Sequence, residues 1–288
     1  MIGFIGLGIM GSRMAARLQA AGEPLVVYNR TAQKAKPFAE KGALAAASPR
    51  EVGQMADIVF TMLADPQAVD DVAYGDDGLL AGLTTGKLWV DCSTVSPTQS
   101  RRLAKDAAQT GIHFLDAPVA GSTAPAEKGE LIFFVGGDRD DLEKADPLLR
   151  LMGKDVQHKG PSGMGTAMKL VNNLLLAQSI AAFSEAVAFG ESLGLEKAAL
   201  VQTIIDGPNA APVLQLKKSK VLDGSFAAAQ FKVNSIYKDL ELAAEEAYAH
   251  SFALPLSNSL KALFGLAKQF DMGNHDITAI YALMKGRQ

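Results

Sequence analysis

The first thirty residues, Met1–Arg30, read MIGFIGLGIMGSRMAARLQAAGEPLVVYNR and contain four patterns in succession. Residues 2–5 form a short apolar run, which is typical of a buried parallel strand. A glycine-rich turn, GLGIMG at residues 6–11, follows without a gap. Apolar residues at four-residue spacing then predict one face of an amphipathic helix, which Gly22 should end. Residues 25–28, LVVY, predict a second buried strand.

The glycine spacing identifies this strand, turn, helix and strand as a dinucleotide-binding unit of the Rossmann type. Gly6 permits a tight turn, Gly8 lets backbone N–H groups approach a pyrophosphate, and Gly11 lets the helix pack closely on the sheet. The N–H groups and the positive dipole end of the helix would face the phosphates. A purely structural turn is the alternative, but it does not explain three glycines at this spacing. The predicted cofactor contacts here are Gly6, Leu7, Gly8, Ile9, Met10 and Gly11.

The end of the second strand indicates which dinucleotide is bound. Sites for NAD usually carry an acidic residue there, which accepts a hydrogen bond from the ribose 2′-OH. This chain instead has Asn29, Arg30 and Thr31, with Lys34 a few residues later. Arg30 can pair with a 2′-phosphate, and Asn29 and Thr31 offer neutral hydrogen bonds. We therefore expect NADPH rather than NADH as the cofactor; the alternative is that Arg30 and Lys34 only solvate a surface loop.

Length and composition limit the class of protein. A chain of 288 residues predicts two domains, and 48% hydrophobic with 20% charged residues is typical of a globular protein. The net charge of −3 argues against nucleic acid or an anionic membrane as the main partner. The single Cys92 excludes an internal disulfide and should be a small buried hydrophobe. The four histidines are scattered, so we expect no metal site.

The chain start and the apolar runs bear on localisation. Met1 leads directly into the first predicted strand, which leaves no room for a leader peptide. No apolar run is expected to reach membrane-spanning length. We therefore expect a cytoplasmic protein.

Strands and helices continue to alternate up to about residue 160. Further strands are predicted at 57–62, 87–92, 113–117 and 131–135, and a helix at 34–42. Another helix should begin at Ser48-Pro49, with Ser48 as its N-cap and proline at the first helical position. Ligands of open α/β sheets bind beyond the carboxyl ends of the strands. Met62 and Leu63 could cover the cofactor there, or equally be core. Ser93 and Thr94 are candidate ligand contacts, whereas Ser96 is the expected cap of the next helix.

The loop after residues 113–117 reads PVAGST. The backbone N–H groups of Gly121, Ser122 and Thr123 can bind an anion in such a turn. A substrate carboxylate is the anion that we expect there.

From Gly163 onwards helical patterns replace the strands. Helices are predicted at 166–193, 196–205, 212–222, 233–249, 256–270 and 276–285. The chain should therefore fold as an α/β Rossmann-type N-terminal domain, residues 1–161, and an all-α C-terminal domain, residues 162–288.

Lys169 and Asn173 lie four residues apart on the long predicted helix and so project from one face of it. Gly163 and Gly165 would let another backbone or a ligand approach the first turn. A lysine near a helix start is commonly a solvated charge. The apolar neighbours of Lys169 favour a catalytic role instead.

Five motifs in order resemble the β-hydroxyacid dehydrogenase family over essentially the full length. They are GFIGLGIMG at 3–11, DCSTVSP at 91–97, DAPVAGS at 116–122, GMGTAMKLVNN at 163–173 and KDL at 238–240. Within the family, NRT at 29–31 and PAEKGEL at 125–131 make the chain most similar to the NADPH-dependent glyoxylate and succinic semialdehyde reductases. The resemblance implies a C-terminal domain like that of 6-phosphogluconate dehydrogenase. It also implies these roles: Lys169 is catalytic, Asn173 orients the substrate, Thr94 and Lys238 contact the cofactor, and Phe231 and Asp239 line the site.

The chain departs from the family pattern at Ala120, where serine is usual, and at Ser122, where a second glycine is frequent. One side-chain hydroxyl is thereby lost from the expected carboxylate pocket, a change that can alter discrimination among substrates.

We expect reduction of a small carboxylated aldehyde to a hydroxy acid, with the Lys169 ammonium as general acid. We also expect a homodimer or homotetramer formed through the helical domain. A 3-hydroxyisobutyrate-type dehydrogenase is one alternative, but it should carry an acidic residue near Asn29. An imine reductase usually lacks the lysine at this position, and a non-catalytic cofactor-binding module would not need it.

Overall fold

A computed structural model describes residues 1–286 of the chain and contains two compact units, Met1–Lys169 and a second that begins at Leu170. The first is a parallel-sheet Rossmann-type domain and the second is all-helical, so the predicted fold class is confirmed. The boundary predicted between residues 161 and 162 stays a prediction.

The first unit is built on one nine-stranded sheet. Its strands are β1 (Ile2–Ile5), β2 (Leu25–Tyr28), β3 (Leu44–Ala45), β4 (Ile58–Thr61), β5 (Leu88–Asp91), β6 (His113–Asp116), β7 (Val119–Ala120), β8 (Leu131–Gly136) and β9 (Gly153–Gly160). The order is β3-β2-β1-β4-β5-β6-β8-β7, with β9 also paired to β8. Strands β1 to β6 are parallel, and β8 is antiparallel to β6 and β7. The loops after β1, β2, β4, β5 and β6 therefore meet at one edge of the sheet.

Helices cover both faces of this sheet. They are α1 (Gly11–Ala20), α2 (Lys36–Ala39), α3 (Pro49–Met55), α4 (Pro66–Ala73), α5 (Leu79–Gly82), α6 (Pro97–Ala108), α7 (Thr123–Lys128) and α8 (Arg139–Met152). Successive strand residues alternate between two cores, as the period of a strand requires. Phe4 belongs to one core and its neighbour Ile5 to the other. Cys92 is fully buried, as predicted, and burial raises the pKa of its thiol.

The second unit continues the long helix α9 (Met164–Ser192). It adds α10 (Lys197–Asp206), α11 (Pro212–Asp223), α12 (Val233–Ala249), α13 (Pro255–Gln269) and α14 (Ile280–Lys285), which a short 3-10 turn, Ile277–Ala279, precedes. Their buried faces form one core around residues such as Phe183 and Phe264. The six predicted helices are all present, with ends displaced by one or two residues at most positions.

Helix α9 corrects one expectation. By length and composition it could cross a membrane, whereas no run was expected to reach that length. Within the described residues, 44% of its most apolar window is buried, and the core helix of a helical domain passes the same test. The feature is therefore weak evidence for a membrane span.

Two more differences have physical causes. The helix predicted at 34–42 is shorter, a 3-10 turn at Ala32–Ala35 followed by α2. Strand β9 was not predicted because its sequence, GKDVQHKG, is polar and most of its residues are only half-buried. It joins the sheet by backbone pairing with β8, which needs no apolar pattern.

Candidate active site

The glycine turn after β1 is held by backbone contacts. Gly6 has a φ of +97°, and a Cβ there would lie 2.4 Å from the carbonyl oxygen of Met62. A Cβ on Gly11 would lie 1.9 Å from the carbonyl oxygen of Gly6. Only glycine fits either position without a backbone shift, because both distances are far below van der Waals contact. The predicted roles of Gly6 in the turn and of Gly11 in close packing are confirmed.

Gly8 differs from these two residues. A Cβ there would meet no atom of the described residues within 4 Å, so its backbone faces open space. Helix α1 begins directly after this turn, and the side chain of its N-cap residue, Met10, makes no capping hydrogen bond. The backbone of an open glycine turn and the positive end of a helix suit a phosphate. The turn therefore fits the pyrophosphate of a dinucleotide.

Asn29 ties this turn to the end of β2. Its Oδ1 accepts a hydrogen bond from the Leu7 N–H at 2.8 Å, and its Nδ2 donates to the Thr31 carbonyl oxygen at 3.0 Å. The amide thus fixes the glycine turn against the loop that carries Arg30. Direct contact of Asn29 with the cofactor stays a prediction.

A cleft of about 520 Å³ follows the sheet edge. Eight of the predicted cofactor contacts line it: Gly6, Gly8, Asn29, Arg30, Thr31, Lys34, Met62 and Leu63. The side chains of Arg30 and Lys34 are exposed in it, and two carboxylates, Asp71 and Asp77, line it as well. Of the other turn residues, Leu7 is buried in the core, whereas Ile9 is exposed.

A chain of buried hydrogen bonds lies beneath the exit of β4. The indole N–H of Trp89 donates to Thr61 Oγ1 at 2.9 Å, and Thr61 Oγ1 donates to Asp91 Oδ1 at 2.6 Å. The same carboxylate oxygen accepts from the Ser93 N–H at 3.1 Å, and Ser93 Oγ accepts from the Leu63 N–H at 2.9 Å. The network holds Leu63 in the wall of the cleft.

Ser93 is 1% exposed, and its hydroxyl serves the backbone of Leu63. Its predicted contact with substrate stays a prediction. The neighbouring Thr94 is half-buried. Ser96 accepts a hydrogen bond from the Gln99 N–H at 3.0 Å, so its predicted role as a helix cap is confirmed.

Asp116, at the end of β6, caps helix α9 from a distant part of the chain. Its Oδ1 accepts from the Gly163 N–H at 2.7 Å, and its Oδ2 accepts from the Thr166 N–H at 2.7 Å and from Thr166 Oγ1 at 3.0 Å. Burial raises the pKa of this carboxyl to about 6, against the opposing effect of these donors. This capping role could not be predicted, because nothing local in the sequence links residues 116 and 166.

Lys169 follows Thr166 by three residues and is half-buried. Close backbone packing precedes it: a Cβ on Gly165 would lie 2.3 Å from the Phe134 carbonyl oxygen and 2.7 Å from that of Asp116. The double glycine admits another backbone, one of the two partners predicted for it. The helix that carries Lys169 therefore starts at the carboxyl end of β6.

The predicted carboxylate loop lies between β7 and α7. Gly121 has a φ of +120°, and Ser122 and Thr123 are half-buried beside it. Arg13 of α1 pairs with Glu127 of α7 at 2.7 Å, which links this segment to the glycine turn. Anion binding by the loop stays a prediction.

A polar cluster in the second unit joins residues for which the family resemblance implied roles. Asn173 Nδ2 donates to Asp239 Oδ2 at 2.6 Å, and Lys238 Nζ lies 3.2 Å from Asp239 Oδ1. Asn173 and Asp239 are 1% and 3% exposed. Phe231 is half-buried, and its N–H donates to Asp276 Oδ2 at 3.3 Å.

A buried ion pair supports the Phe231 segment. Lys217 Nζ lies 2.7 Å from Asp276 Oδ2 and 3.1 Å from the side-chain oxygen of Gln230. Burial lowers the pKa of Lys217. Burial acts to raise the pKa of Asp276, but Lys217 and the backbone donors together outweigh it and hold that pKa below its ordinary value. The two residues lie 59 apart in the chain, and no local sequence pattern indicates the pair.

Metal chemistry receives no support from the side chains. Among residues 1–286, no group of three or more His, Cys, Asp or Glu side chains could hold an ion.

Comparisons with known proteins agree with the geometry of the glycine turn. Residues 1–160 match the NAD binding domain of 6-phosphogluconate dehydrogenase, and residues 163–284 match the family described as NAD-binding of NADP-dependent 3-hydroxyisobutyrate dehydrogenase. A relative from Arabidopsis thaliana, glyoxylate/succinic semialdehyde reductase 2, chloroplastic, is 39% identical over 99% of this chain and 79% of its own. An NAD-dependent L-serine dehydrogenase from Pseudomonas aeruginosa is 37% identical over 100% of this chain and 98% of its own.

Among solved structures, the 3-hydroxyisobutyrate dehydrogenase of Mycobacterium tuberculosis with L-serine has a TM-score of 0.89. It is 30% identical, with 99% of each chain covered. Both domain matches and the fold agree on a pyridine nucleotide as the cofactor. The chain belongs to the β-hydroxyacid dehydrogenase family of NAD(P)-dependent oxidoreductases.

Proposed function

We propose that this protein uses NADPH to reduce small aldehyde acids, such as glyoxylate and succinic semialdehyde, with Lys169 as the general acid. One observation supports this most: Asp116 holds the start of α9 at the carboxyl end of β6. The glycine turn leaves β1 at the same edge of the sheet. Lys169, the sixth residue of that helix, lies at the end of the sheet where open α/β domains bind their ligands.

The residues of the cleft would bind the cofactor, which when bound supplies the hydride. The Gly8 backbone and the α1 N-terminus suit the pyrophosphate. Arg30 and Lys34 suit a 2′-phosphate, and no carboxylate stands at Asn29 to oppose it. Leu63, fixed by Ser93, helps to exclude water from the cleft.

Lys169 acts on the substrate carbonyl oxygen. As hydride reaches the carbonyl carbon, negative charge grows on the oxygen, and the ammonium group stabilises it and donates the proton. In the reverse direction a neutral lysine accepts the proton, so oxidation of the hydroxy acid is favoured at high pH. Asn173 lies one turn further along α9, and its amide is fixed by Asp239. A fixed amide suits the orientation of the substrate.

The substrate class rests on the loop at residues 121–123 and on the relatives. Backbone N–H groups of that loop would bind the carboxylate. The Arabidopsis relative is named for glyoxylate and succinic semialdehyde reduction, which supports an aldehyde acid. The serine dehydrogenase relative favours a second candidate, oxidation of a small β-hydroxy acid. Ala120 offers no side-chain hydroxyl to the substrate, so this position cannot select among small acids by hydrogen bonding.

A turnover assay tests the proposal. NADPH or NADH is mixed with glyoxylate, succinic semialdehyde and related oxo acids, and NADP⁺ or NAD⁺ with L-serine and 3-hydroxyisobutyrate. We expect the aldehyde acids with NADPH to give the highest kcat/KM. If no aldehyde acid is reduced and a hydroxy acid is oxidised rapidly, aldehyde acid reduction is refuted and oxidation of a small β-hydroxy acid takes its place.

The variant Lys169→Ala tests the role of the lysine. Its kcat should fall by about 10²- to 10⁴-fold, the usual contribution of a general acid, while NADPH still binds. Lys105→Ala, at an exposed position on α6, is the matched control and should retain full activity. Near-normal turnover in Lys169→Ala would refute the assignment.

We also propose a cytoplasmic homodimer or homotetramer. Exposed apolar side chains along α9, among them Val171, Leu175 and Phe189, support association through the helical domain. Light scattering after size-exclusion chromatography should give the mass of a dimer or tetramer. The mass of a monomer would contradict the proposal.

A further inference from the structure

We propose that Asp116 is a positioning residue for Lys169: by capping α9 from the end of β6, its buried carboxylate fixes where the lysine stands. The inference rests on the proposed function for its effect on turnover. The anchoring itself can be measured without turnover.

The cap is unusual in being supplied by another element. The first N–H groups of a helix lack partners within the helix and are commonly satisfied by a residue just before it. Here the acceptor is 47 residues from Gly163 and 50 from Thr166 in the chain. One carboxylate oxygen accepts from the Gly163 N–H and the other accepts from the Thr166 N–H. The cap therefore joins the helix directly to the sheet.

A second layer holds the Thr166 hydroxyl. Because Thr166 Oγ1 donates to the Asp116 carboxylate, the hydroxyl of Ser100 must donate to Thr166 Oγ1, at 2.8 Å. Ser100 and Thr166 are fully buried, and Ser100 belongs to α6. The start of α9 is thus bonded to β6 and to α6 at once.

The backbone packs closely around the carboxylate. A Cβ on Gly136 would lie 2.5 Å from Asp116 Oδ1 and 2.8 Å from the backbone nitrogen of Gly165. Two glycines thus let strand, carboxylate and helix meet within contact distance. A side chain at either glycine would separate these elements.

Lys169 lies three residues after Thr166, just under one helical turn and about 4.5 Å along the axis at 1.5 Å per residue. A turn whose first N–H groups are hydrogen-bonded frays less, so the base of the lysine side chain is held in place. Misplacing a reacting group by about 1 Å can cost about 100-fold in rate. Asp116 should therefore affect kcat without contacting substrate or cofactor.

Asp116→Asn tests this with a minimal change of shape. Both oxygens of the native side chain accept from N–H groups, so the NH₂ of asparagine must face a donor, and one bond becomes a repulsive contact. We expect kcat to fall about tenfold or more, with KM for the aldehyde changed far less and the Kd for NADPH unchanged. Glu196→Gln is the matched control, since Glu196 caps α10 by accepting from the Ala198 and Ala199 N–H groups. It should leave kcat unchanged.

Amide hydrogen exchange measures the anchoring itself. Exchange across residues 163–169 should rise at least about tenfold in Asp116→Asn and stay at the wild-type rate in Glu196→Gln. Should Asp116→Asn fail to fold, Thr166→Val keeps the backbone bond and removes only the hydroxyl, and it should show the same changes to a smaller degree.

The outcomes separate the two proposals. Unchanged exchange at residues 163–169 would overturn the anchoring, whatever the activity. Raised exchange with wild-type kcat would overturn the positioning role. A wild-type protein that reduces no aldehyde acid contradicts the proposed function, and the exchange result then decides by itself whether Asp116 fixes the Lys169 turn.

Discussion

Replacing Gly8 by alanine separates cofactor binding from folding, and Gly11 provides the matched comparison. The added methyl group at residue 8 would meet no described protein atom within 4 Å, and its φ lies outside the left-handed region. Such a change alters the free energy of unfolding by about 0.5 kcal/mol or less, or stabilises slightly through the unfolded chain. The same methyl group at residue 11 would lie 1.9 Å from a carbonyl oxygen. Overpacking of this kind costs about 1–3 kcal/mol or more.

The order should be reversed for NADPH binding: Gly8→Ala should weaken it directly, although it costs less stability than Gly11→Ala. At Gly8 the methyl group occupies the space that a pyrophosphate needs, so one or two charge-assisted hydrogen bonds from the backbone are lost. Each is worth about 1.5–3 kcal/mol, which corresponds to a Kd raised by roughly 10- to 100-fold or more. At Gly11 any loss of binding should follow from the loss of structure.

Two measurements on each variant check this reasoning. We expect the Tm of Gly8→Ala to match the wild type, and that of Gly11→Ala to fall by about 2–4 °C for each 1 kcal/mol lost. Fluorescence titration with NADPH should show weak binding in Gly8→Ala under conditions where it is folded. Wild-type affinity in Gly8→Ala would show that the pyrophosphate does not lie on this turn, and the reading of the cleft would then be wrong.

Three other perturbations test separate parts of the site. Arg30→Ala should lower kcat/KM for NADPH by about 10- to 100-fold, from the loss of a charge-assisted bond of about 1.5–3 kcal/mol, and that for NADH by much less; equal losses would contradict a 2′-phosphate contact. Ser93→Ala leaves the Leu63 N–H unsatisfied and should lower the free energy of unfolding by about 1–3 kcal/mol in urea titration. For Asp116, the pKa is raised from 3.8 to about 6, so the folded state binds more protons and stability falls as pH rises through that window. The unfolding free energy of the wild type should therefore fall by about 3 kcal/mol relative to Asp116→Asn between pH 3 and pH 7, and parallel pH curves would contradict this.

The first nucleotide-binding unit could be predicted because its signals are local. A strand, three glycines and an amphipathic helix are contiguous, and each glycine has a conformational or steric reason that holds at short range. The helices of the second unit were predicted for the same reason, since the apolar period of each is contained within it. Ser48 and Ser96 cap the helices that follow them, as the sequence indicated.

The polar anchors could not be predicted, because each joins distant residues. Thr61 and Asp91 are neighbours because of the register in which β4 pairs with β5. Neither strand's own sequence indicates that the two side chains form a hydrogen bond. Lys217 and Asp276 likewise meet only when the helical unit has folded. A sequence pattern shows the periodicity within one element. It does not show which buried carboxylate accepts hydrogen bonds from the N–H groups of which helix.

Ser93 shows what a hydroxyl at a strand end can and cannot indicate. The position alone favoured a ligand contact, since open α/β sheets bind ligands there. The structure shows a further role: the hydroxyl accepts from the Leu63 N–H, next to the loop that lines the cleft. A buried backbone N–H must find an acceptor, and a loop that turns sharply after a strand has none within itself. A small hydroxyl residue at a strand end can therefore hold the shape of the neighbouring loop as well as contact a ligand, and Ser93 influences the cleft through the Leu63 backbone that it holds.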